Sequence, residues 1–235
     1  MHLYNFFFCF LLFFIYSFLG WFMESIAVGI EKRKFINRGF LIGPYCPIYG
    51  FSAVMMILLL GKYQSDPFVL FIMAAFICTF FEYITSFLME KLFKSRWWDY
   101  SHKTFNINGR VCLNNSLIFG ILGCLLIIFI NPFITRIISD IPHNVLIIFS
   151  SFLFVIFIID NILSFNIISK FKVTANNIIR KDSTEEISEK IKEILKKKSI
   201  LSRRLVNAFP DVKAMLPELK AKYEEQKKKF IEKIR

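Results

Sequence analysis

The sequence lacks the cysteine spacings that mark metal sites or disulfide frameworks. Its five cysteines occur singly, at positions 9, 46, 78, 112 and 124, and no two of them form a C-x-x-C pair. All five lie in or beside apolar runs, where cysteine usually serves as a small buried hydrophobe. The pattern therefore predicts no metal site, no disulfide framework and no cofactor.

Charge is absent from several long stretches of the chain. No charged side chain occurs in residues 5–23, 39–61 or 111–135, and residues 67–89 and 144–168 hold one acid each. A helix that crosses a bilayer needs about 20 mostly apolar residues, and buried helices of soluble proteins are shorter. The sequence predicts an all-α, polytopic membrane protein with about five transmembrane helices, near residues 5–30, 46–62, 67–91, 111–135 and 144–168.

The first apolar run also lacks the features of a cleavable signal peptide. It has no basic n-region, its apolar stretch is too long, and no small-x-small site closes it. Cleavable signals have a basic n-region, a short apolar stretch and a small-x-small cleavage site. We therefore expect the first helix to be retained as a membrane anchor.

Acidic side chains are in the minority, with 18 Asp and Glu against 30 Lys and Arg. The basic residues concentrate in the first and third predicted loops and after residue 170, while the second and fourth loops hold one each. The positive-inside rule then places those two basic loops and the C terminus in the cytoplasm, and the N terminus outside. The net charge of +12 follows from this topology. The sequence therefore predicts a multi-pass protein of the cell membrane with no nucleic-acid partner.

The composition changes abruptly at Lys170, which divides the chain into a transmembrane helical domain, 1–170, and a basic cytoplasmic helical tail, 171–235. In the tail, Ser183 and Glu186 have the spacing of a helix capping box. One interpretation places the tail helices on the anionic membrane lipids of the inner leaflet, where basic segments are attracted. The alternatives are packing against a partner protein and a solvated tail.

Two acids lie at membrane depth, Glu24 near the inner end of the first predicted helix and Glu82 in the third. Such charges usually face a bundle interior or a water-filled cavity. In the predicted topology both fall in the cytoplasmic half, which the third loop enters with Asp99, Asn108 and Arg110. The sequence predicts a polar site formed by these five residues, with Arg110 paired to Glu82, Glu90 or Asp99. The alternative is that the acids make only structural hydrogen bonds or ion pairs.

A further acid, Asp160, lies midway along the fifth predicted helix beside Asn161. The sequence leaves two states open for it, a pair with an arginine or a protonated carboxyl. Either state would remove the cost of an uncompensated charge in the membrane.

Glycine and proline are scarce, at nine and seven residues, yet five of them interrupt the short stretch 39–50. Irregular backbone at membrane depth needs partners from protein or water, and broken helices line substrate sites in transporters. One interpretation is therefore a hinge beside a substrate site. The other is a loop that ends where a proline starts the second helix. The predicted hinge residues are Gly39, Gly43, Pro44, Pro47 and Gly50.

The stretch "RWWDYSHKTFNINGRVCLNNS", residues 96–116, is long and polar for a connection between membrane helices. Trp97, Trp98 and Tyr100 suit the headgroup level, so we expect them to form an interfacial anchor. The second half of the stretch is rich in asparagine. We expect these amides to cap the fourth helix and to hydrogen-bond across the bundle.

Four blocks of sequence together resemble a known family. They are "SFLGWFMESI", "NRGFLIGPYCPIYGFSA", "FEYITSFLMEKLFKSRWWDYS" and "NINGRVCLNNSLIFGILG". Their order and combination resemble the bacterial CmpB-like family of type IV ABC-transporter permeases, over roughly residues 10–130 and with a weaker match in "RRLVNAFPDVK". The resemblance implies a polytopic bacterial membrane protein and assigns no catalytic residue. The matching positions are Gly20, Trp21, Glu24, Arg38, Gly39, Gly43, Pro44, Pro47, Tyr49, Gly50, Glu82, Trp97, Asp99, Tyr100, Asn106, Asn108, Gly109 and Arg110.

The chain contains no G-x-x-x-x-G-K-[ST] phosphate-binding loop. An ABC-transporter function would therefore require a separate ATPase subunit, docked on the cytoplasmic loops or the tail. Five helices are few for a permease, so we also expect a homodimer or a partner subunit.

Three functions are compatible with the sequence. The first is a transport component of the bacterial inner membrane with an inward-facing polar site and an unknown substrate. The second is a membrane enzyme that acts on a lipid or lipid-linked substrate at the inner interface, with Asp99 as base and Arg110 as phosphate ligand. The third is a non-transporting adaptor or regulator whose basic tail recruits partners.

Overall fold

The computed structural model describes residues 2–33, 37, 39–93 and 98–181, and these residues are mostly helical. The predicted tail helices and Trp97 lie outside the described residues. The long helices are α1 (His2–Lys32), α3 (Pro67–Phe93) and α6 (His143–Lys181). The other elements are α2 (Pro47–Leu60), a 3-10 turn (Gly61–Tyr63), β1 (Asn106–Ile107), β2 (Val111–Cys112), α4 (Leu113–Leu125), a π-helical segment (Leu126–Ile130) and α5 (Asn131–Ser139).

Within the described residues, four helical segments are long and apolar enough to cross a membrane. They are Asn5–Ile30, Pro67–Leu92, Leu113–Ser139 and His143–Asn166. Large apolar side chains on these segments are exposed, among them Phe76, Ile148 and Phe152. Contiguous exposed apolar surface of this kind fits a lipid environment. The chain is therefore a helical membrane protein, as the apolar runs predict.

The second predicted span differs from the other four. It forms α2, a helix of only 14 residues, or about 21 Å at 1.5 Å per residue. That length is less than the hydrocarbon thickness of about 30 Å. Pro47 stands at the start of the helix, where its missing N–H leaves no donor unsatisfied. The apolar run begins before the helix because its first residues form an irregular segment.

The short helix α2 contributes to both hydrophobic clusters of the core. Ala53 of α2 belongs to one cluster, with residues of α1, α5 and α6. Met56 and Leu60 belong to the other, with residues of α3 and the π-helical segment. α2 is therefore a central helix of the core, although its Phe51, Leu58 and Leu59 side chains are exposed.

α1 and α2 approach each other closely because glycines lie at their contact. A Cβ atom on Gly20 would lie 2.3 Å from the Tyr49 ring, and a Cβ atom on Gly50 would lie 2.2 Å from the Ser17 hydroxyl. Distances this short are not compatible with a side chain at either position. Gly50, predicted as a hinge residue, thus has a close-packing role inside α2.

The polar loop before α4 contains a small β-hairpin, which the all-α prediction did not include. β1 and β2 pair antiparallel, with Ile107 opposite Val111. Asn108 and Gly109 both have positive φ, of 53° and 67°, and the Arg110 N–H donates to the Ile107 carbonyl at 3.0 Å. The Asn-Gly dipeptide is the usual sequence signal for such a turn. The loop before α4 is therefore a hydrogen-bonded hairpin and not a helical segment.

The chain divides into two compact units. The first comprises Met1–Thr85 and Asp99–Ser164, and it contains every contact described below. The second comprises Ser86–Trp98 and Phe165–Arg235, and it includes the C-terminal parts of α3 and α6. α6 runs as one helix to Lys181, past the predicted domain boundary at residue 170.

Candidate functional site

Tyr49 of α2 interacts with both predicted membrane-depth acids. Its hydroxyl donates to the Glu24 carboxylate of α1 at 3.5 Å, and the Cys46 thiol approaches the same oxygen at 3.9 Å. Tyr49 also interacts electrostatically with Glu82 and Tyr100. The structure thus brings both acids into interaction with one tyrosine, which was not among the predicted site residues.

Glu82 of α3 is buried, with 6% of its surface exposed. The Tyr100 hydroxyl donates to its Oε1 atom at 3.2 Å, and the Asn115 side chain of α4 hydrogen-bonds both Glu82 and Tyr100. The other carboxyl oxygen, Oε2, is buried and has no hydrogen-bond partner among the described residues. This oxygen is a strong acceptor with unused capacity, at the centre of the polar cluster.

Tyr100 ties the polar loop to this cluster. Its backbone N–H donates to the Gly109 carbonyl at 2.8 Å, which joins it to the hairpin. Burial, together with the adjacent Glu82 carboxylate, raises the pKa of the Tyr100 hydroxyl well above its usual range. The hydroxyl therefore remains protonated and acts as a donor at physiological pH. Tyr100, predicted as part of an interfacial anchor, is a hydrogen-bonding member of the site.

The remaining predicted loop residues contact other groups. Arg110 is buried, and its guanidinium carbon lies 5.7 Å from the centre of the Tyr83 ring. The Asn108 amide donates to the Tyr83 hydroxyl at 3.0 Å. Asp99 is exposed and accepts hydrogen bonds from the Ser101 N–H and hydroxyl. Glu82 has no ion pair with Arg110 in the described part of the chain, so the neutral donors Tyr100 and Asn115 bind Glu82 there.

The predicted amide cap of the fourth helix is not formed. The N-cap residue of α4 is Cys112, with no side-chain hydrogen bond. Asn115, one turn into the helix, turns instead towards Glu82. The predicted hydrogen bonding of these amides across the bundle is therefore seen at Asn115.

Asp160 of α6 forms a second polar centre, on the irregular segment that precedes α2. Its carboxylate accepts hydrogen bonds from the Ile42 N–H at 2.9 Å and the Gly43 N–H at 2.7 Å. The Tyr45 hydroxyl also donates to it, as does the Ser164 hydroxyl at 2.8 Å. Four donors thus surround the two Asp160 oxygens, and no arginine is among the contacts of Asp160 in the described part of the chain.

These contacts satisfy the backbone of the predicted hinge. Asp160 accepts from two of its N–H groups, and the Cys46 N–H donates to the Ser17 carbonyl of α1 at 2.9 Å. Leu41 is fully buried, Pro44 is exposed, and Gly39 has a φ of 102°. Protein groups thus replace water around irregular backbone, as membrane depth requires. The only sequence signal for this anchor is the Asp160–Ser164 spacing of one helical turn.

The described residues contain no group of three or more His, Cys, Asp or Glu side chains that could hold a metal ion. Trp98 is half-buried, and it belongs to the second unit. The chemistry available in the first unit is therefore that of carboxyl, phenol and amide groups in an apolar bundle.

Comparison with known proteins gives one match. The family model described as "Putative ABC-transporter type IV" matches residues 11–165, more than half of the chain. No curated protein and no solved structure matches the sequence. The matched range contains both polar centres and every described helix from α2 to α5.

Proposed function

The chain belongs to the ABC-transporter type IV family, and from this premise we propose that it is the membrane permease component of a bacterial transporter. We propose further that its solute site is the inward-facing polar cluster formed by Glu24, Tyr49, Glu82, Tyr100 and Asn115. The observation that carries this proposal is the convergence of these side chains from four helices and a loop around the buried Glu82 carboxyl.

Placing polar side chains around a buried carboxyl destabilises the protein, and packing alone does not explain why they are there. Acidic side chains inside a membrane are destabilising and usually mark substrate or ion pathways. An apolar residue at position 82 would remove the orphan oxygen, and apolar replacement of buried polar groups is often neutral or stabilising. Retaining a buried carboxyl with an unused acceptor is therefore better explained by a ligand than by stability.

The proposed topology has five crossings, with the N terminus outside and the C terminus in the cytoplasm. In this arrangement α2 and the irregular segment before it together make the second crossing. The positive-inside pattern of the loops supports it, as does the central position of α2 in the core. Glu24 and Glu82 then lie in the cytoplasmic half, and the hairpin loop covers them from that side.

The segment anchored by Asp160 supplies a candidate gate for the site. It ends at Cys46, whose thiol lies beside the Glu24 carboxylate. A displacement of this segment would therefore change the surroundings of Glu24 directly. Broken helices serve this purpose in other transporters. Energy would come from a separate ATPase subunit, and a homodimer would supply enough helices for a closed pathway.

Deleting the gene and comparing the small-molecule content of cells and medium by untargeted mass spectrometry tests the function. We expect at least one solute class to shift between cells and medium in the deletion strain, and wild-type protein to reverse the shift. The Glu82→Gln protein should reach the membrane at wild-type levels and fail to reverse it. The Gly61→Ala protein is the matched control, because no atom lies within 4 Å of a Cβ at that position.

Two results would contradict the proposal. One is an unchanged solute distribution in the deletion strain under conditions in which the gene is expressed. The other is a change confined to lipid headgroups, which would support the lipid-enzyme alternative. Full complementation by Glu82→Gln would leave the transport role in place and remove the site assignment.

A further inference from the structure

The first unit contains two buried carboxyl groups with opposite surroundings. Asp160, 7% exposed, accepts from two backbone N–H groups and two hydroxyls, and the donors are divided between its two oxygens. Neither oxygen of Asp160 is therefore left without a donor.

Glu82 receives donors at one oxygen only. Tyr100 donates to Oε1, while Oε2 is buried without a partner among the described residues. An isolated carboxylate in an apolar environment is unfavourable, and in proteins such groups are commonly neutralised. A proton bound to Glu82 would neutralise this charge, and binding a proton requires no cavity beside the carboxyl group.

The groups that face Glu82 provide no compensating positive charge. Tyr100 from the loop and Asn115 from α4 are neutral donors. Tyr49 from α2 and Cys78, one turn earlier on α3, also interact with Glu82 electrostatically. The Glu24 side chain accepts a hydrogen bond from the Tyr49 hydroxyl and likewise supplies no positive charge.

The positively charged side chain of Arg110 contacts Tyr83. Arg110, at the start of the segment that leads into α4, has its guanidinium over the Tyr83 ring. Tyr83 follows Glu82 in sequence, so its side chain leaves α3 in a different direction. The contacts of Glu82 within the described residues are thus those of a carboxyl group with neutral neighbours.

We propose that Glu82 is a proton-binding site that gains and loses a proton as the protein works. The reaction is the exchange of one proton between the Glu82 carboxyl and water at the site. When ionised, Glu82 makes a charge-assisted hydrogen bond with Tyr100, and such bonds are about twice as strong as neutral ones. Protonation therefore weakens the link between α3 and the hairpin loop.

This link gives the proton a role in transport. Tyr100 is bonded to Glu82 through its hydroxyl and to the hairpin through its backbone N–H. Loss of the first bond would loosen the loop at the cytoplasmic face of the site, while the Asn108–Tyr83 hydrogen bond still joins the loop to α3. The coupling of proton and loop to solute movement rests on the proposed function, whereas proton binding at Glu82 does not.

Infrared difference spectroscopy of the full-length protein in lipid vesicles, recorded as a function of pH, tests the proposal. We expect the carbonyl stretch of a protonated buried carboxyl, which disappears as pH rises and is missing in Glu82→Gln. Asp140→Asn, which removes an exposed carboxyl, is the matched control and should retain the band. A wild-type spectrum without this band at any pH, or the same band in Glu82→Gln, would overturn the proposal.

A second variant keeps the glutamate and changes its donor. Tyr100→Phe removes a hydrogen bond that favours the ionised form, so the band should persist to a midpoint about one pH unit higher. An unchanged midpoint would overturn the role of Tyr100. Failure of the transport proposal would appear separately, as an unchanged solute distribution in the deletion strain with the infrared titration intact.

Discussion

Asp160 shows how one side chain can satisfy irregular backbone inside a membrane. Its carboxylate takes the place of the helical carbonyls that Ile42 and Gly43 would otherwise need as acceptors. Because a buried N–H without an acceptor costs about 1–3 kcal/mol, loss of this carboxylate affects more than one bond. The segment before α2 should therefore depend on Asp160 for its position.

Replacing Asp160 with Asn should loosen that segment. Asn keeps one acceptor oxygen and replaces the other with a donor, so at least one backbone N–H loses its partner. In a protein with Cys46 as the only thiol, we expect maleimide labelling to become about tenfold faster, since Cys46 is buried at the end of the segment. Labelling kinetics in native-lipid nanodiscs provide the measurement.

Asn161→Ala is the control for this experiment. Its amide donates to the Phe157 carbonyl of its own helix at 2.7 Å, and not to the backbone of the segment. Equal labelling rates in Asp160→Asn and the parent protein would show that the segment does not depend on the carboxylate.

At the scale of elements, α2 is short but central. It lies against α1 through Gly20 and Gly50, and it contributes residues to both hydrophobic clusters. Tyr49 extends from this helix to both carboxyl groups of the site. The position of α2 against α1 therefore sets the geometry of the polar cluster as well as the packing of the core.

A methyl group at Gly50 should separate these two helices. Its Cβ would lie 2.4 Å from the Phe13 carbonyl oxygen, a backbone atom that cannot rotate away. Overpacking of this kind costs about 1–3 kcal/mol, so Gly50→Ala should lower the thermal unfolding midpoint by several degrees. Unfolding of the purified protein can be followed by thiol-reactive fluorescence, because the chain has free, buried cysteines.

Gly61→Ala is a matched substitution just beyond the C-terminal end of the same helix. Gly61 has a right-handed helical φ of −54°, and a methyl group there has open space. We expect an unchanged or slightly higher midpoint, since alanine reduces the entropy of the unfolded chain. Equal midpoints for the two variants would mean that close approach at Gly50 does not limit stability.

For the whole molecule, the number of crossings determines the side on which each end lies. Four helical segments satisfy the length criterion in the described residues, and α2 is too short to do so alone. If α2 and its preceding segment cross together, the count is odd and the two termini lie on opposite sides. If they do not cross, the termini share a side.

We expect opposite sides, with the N terminus outside. Epitope tags at the two ends, probed with protease in spheroplasts and again after permeabilisation, distinguish the alternatives. The N-terminal tag should be cleaved in intact spheroplasts and the C-terminal tag only after permeabilisation. Cleavage of both tags, or of neither, before permeabilisation would rule out five crossings.

The sequence alone determined the class of the molecule. Apolar runs of the right length predicted the helices, because burial in lipid constrains composition locally. The ends are close to those observed except at α6, which continues to Lys181. Family blocks over the same runs predicted the membership that the match to residues 11–165 confirms. The Asn-Gly dipeptide is a sequence signal from which the hairpin could have been predicted, although the all-α prediction omitted it.

Only the tertiary structure decided which polar groups meet. Asp160 and Gly43 lie 117 positions apart in sequence, and nothing local to either one specifies the other. Tyr49 and Asn115 join the acids because of close packing of α1 against α2 and the fold of the loop before α4. An apolar run fixes that a helix lies in the membrane, but its rotation and neighbours depend on side-chain packing along the whole bundle.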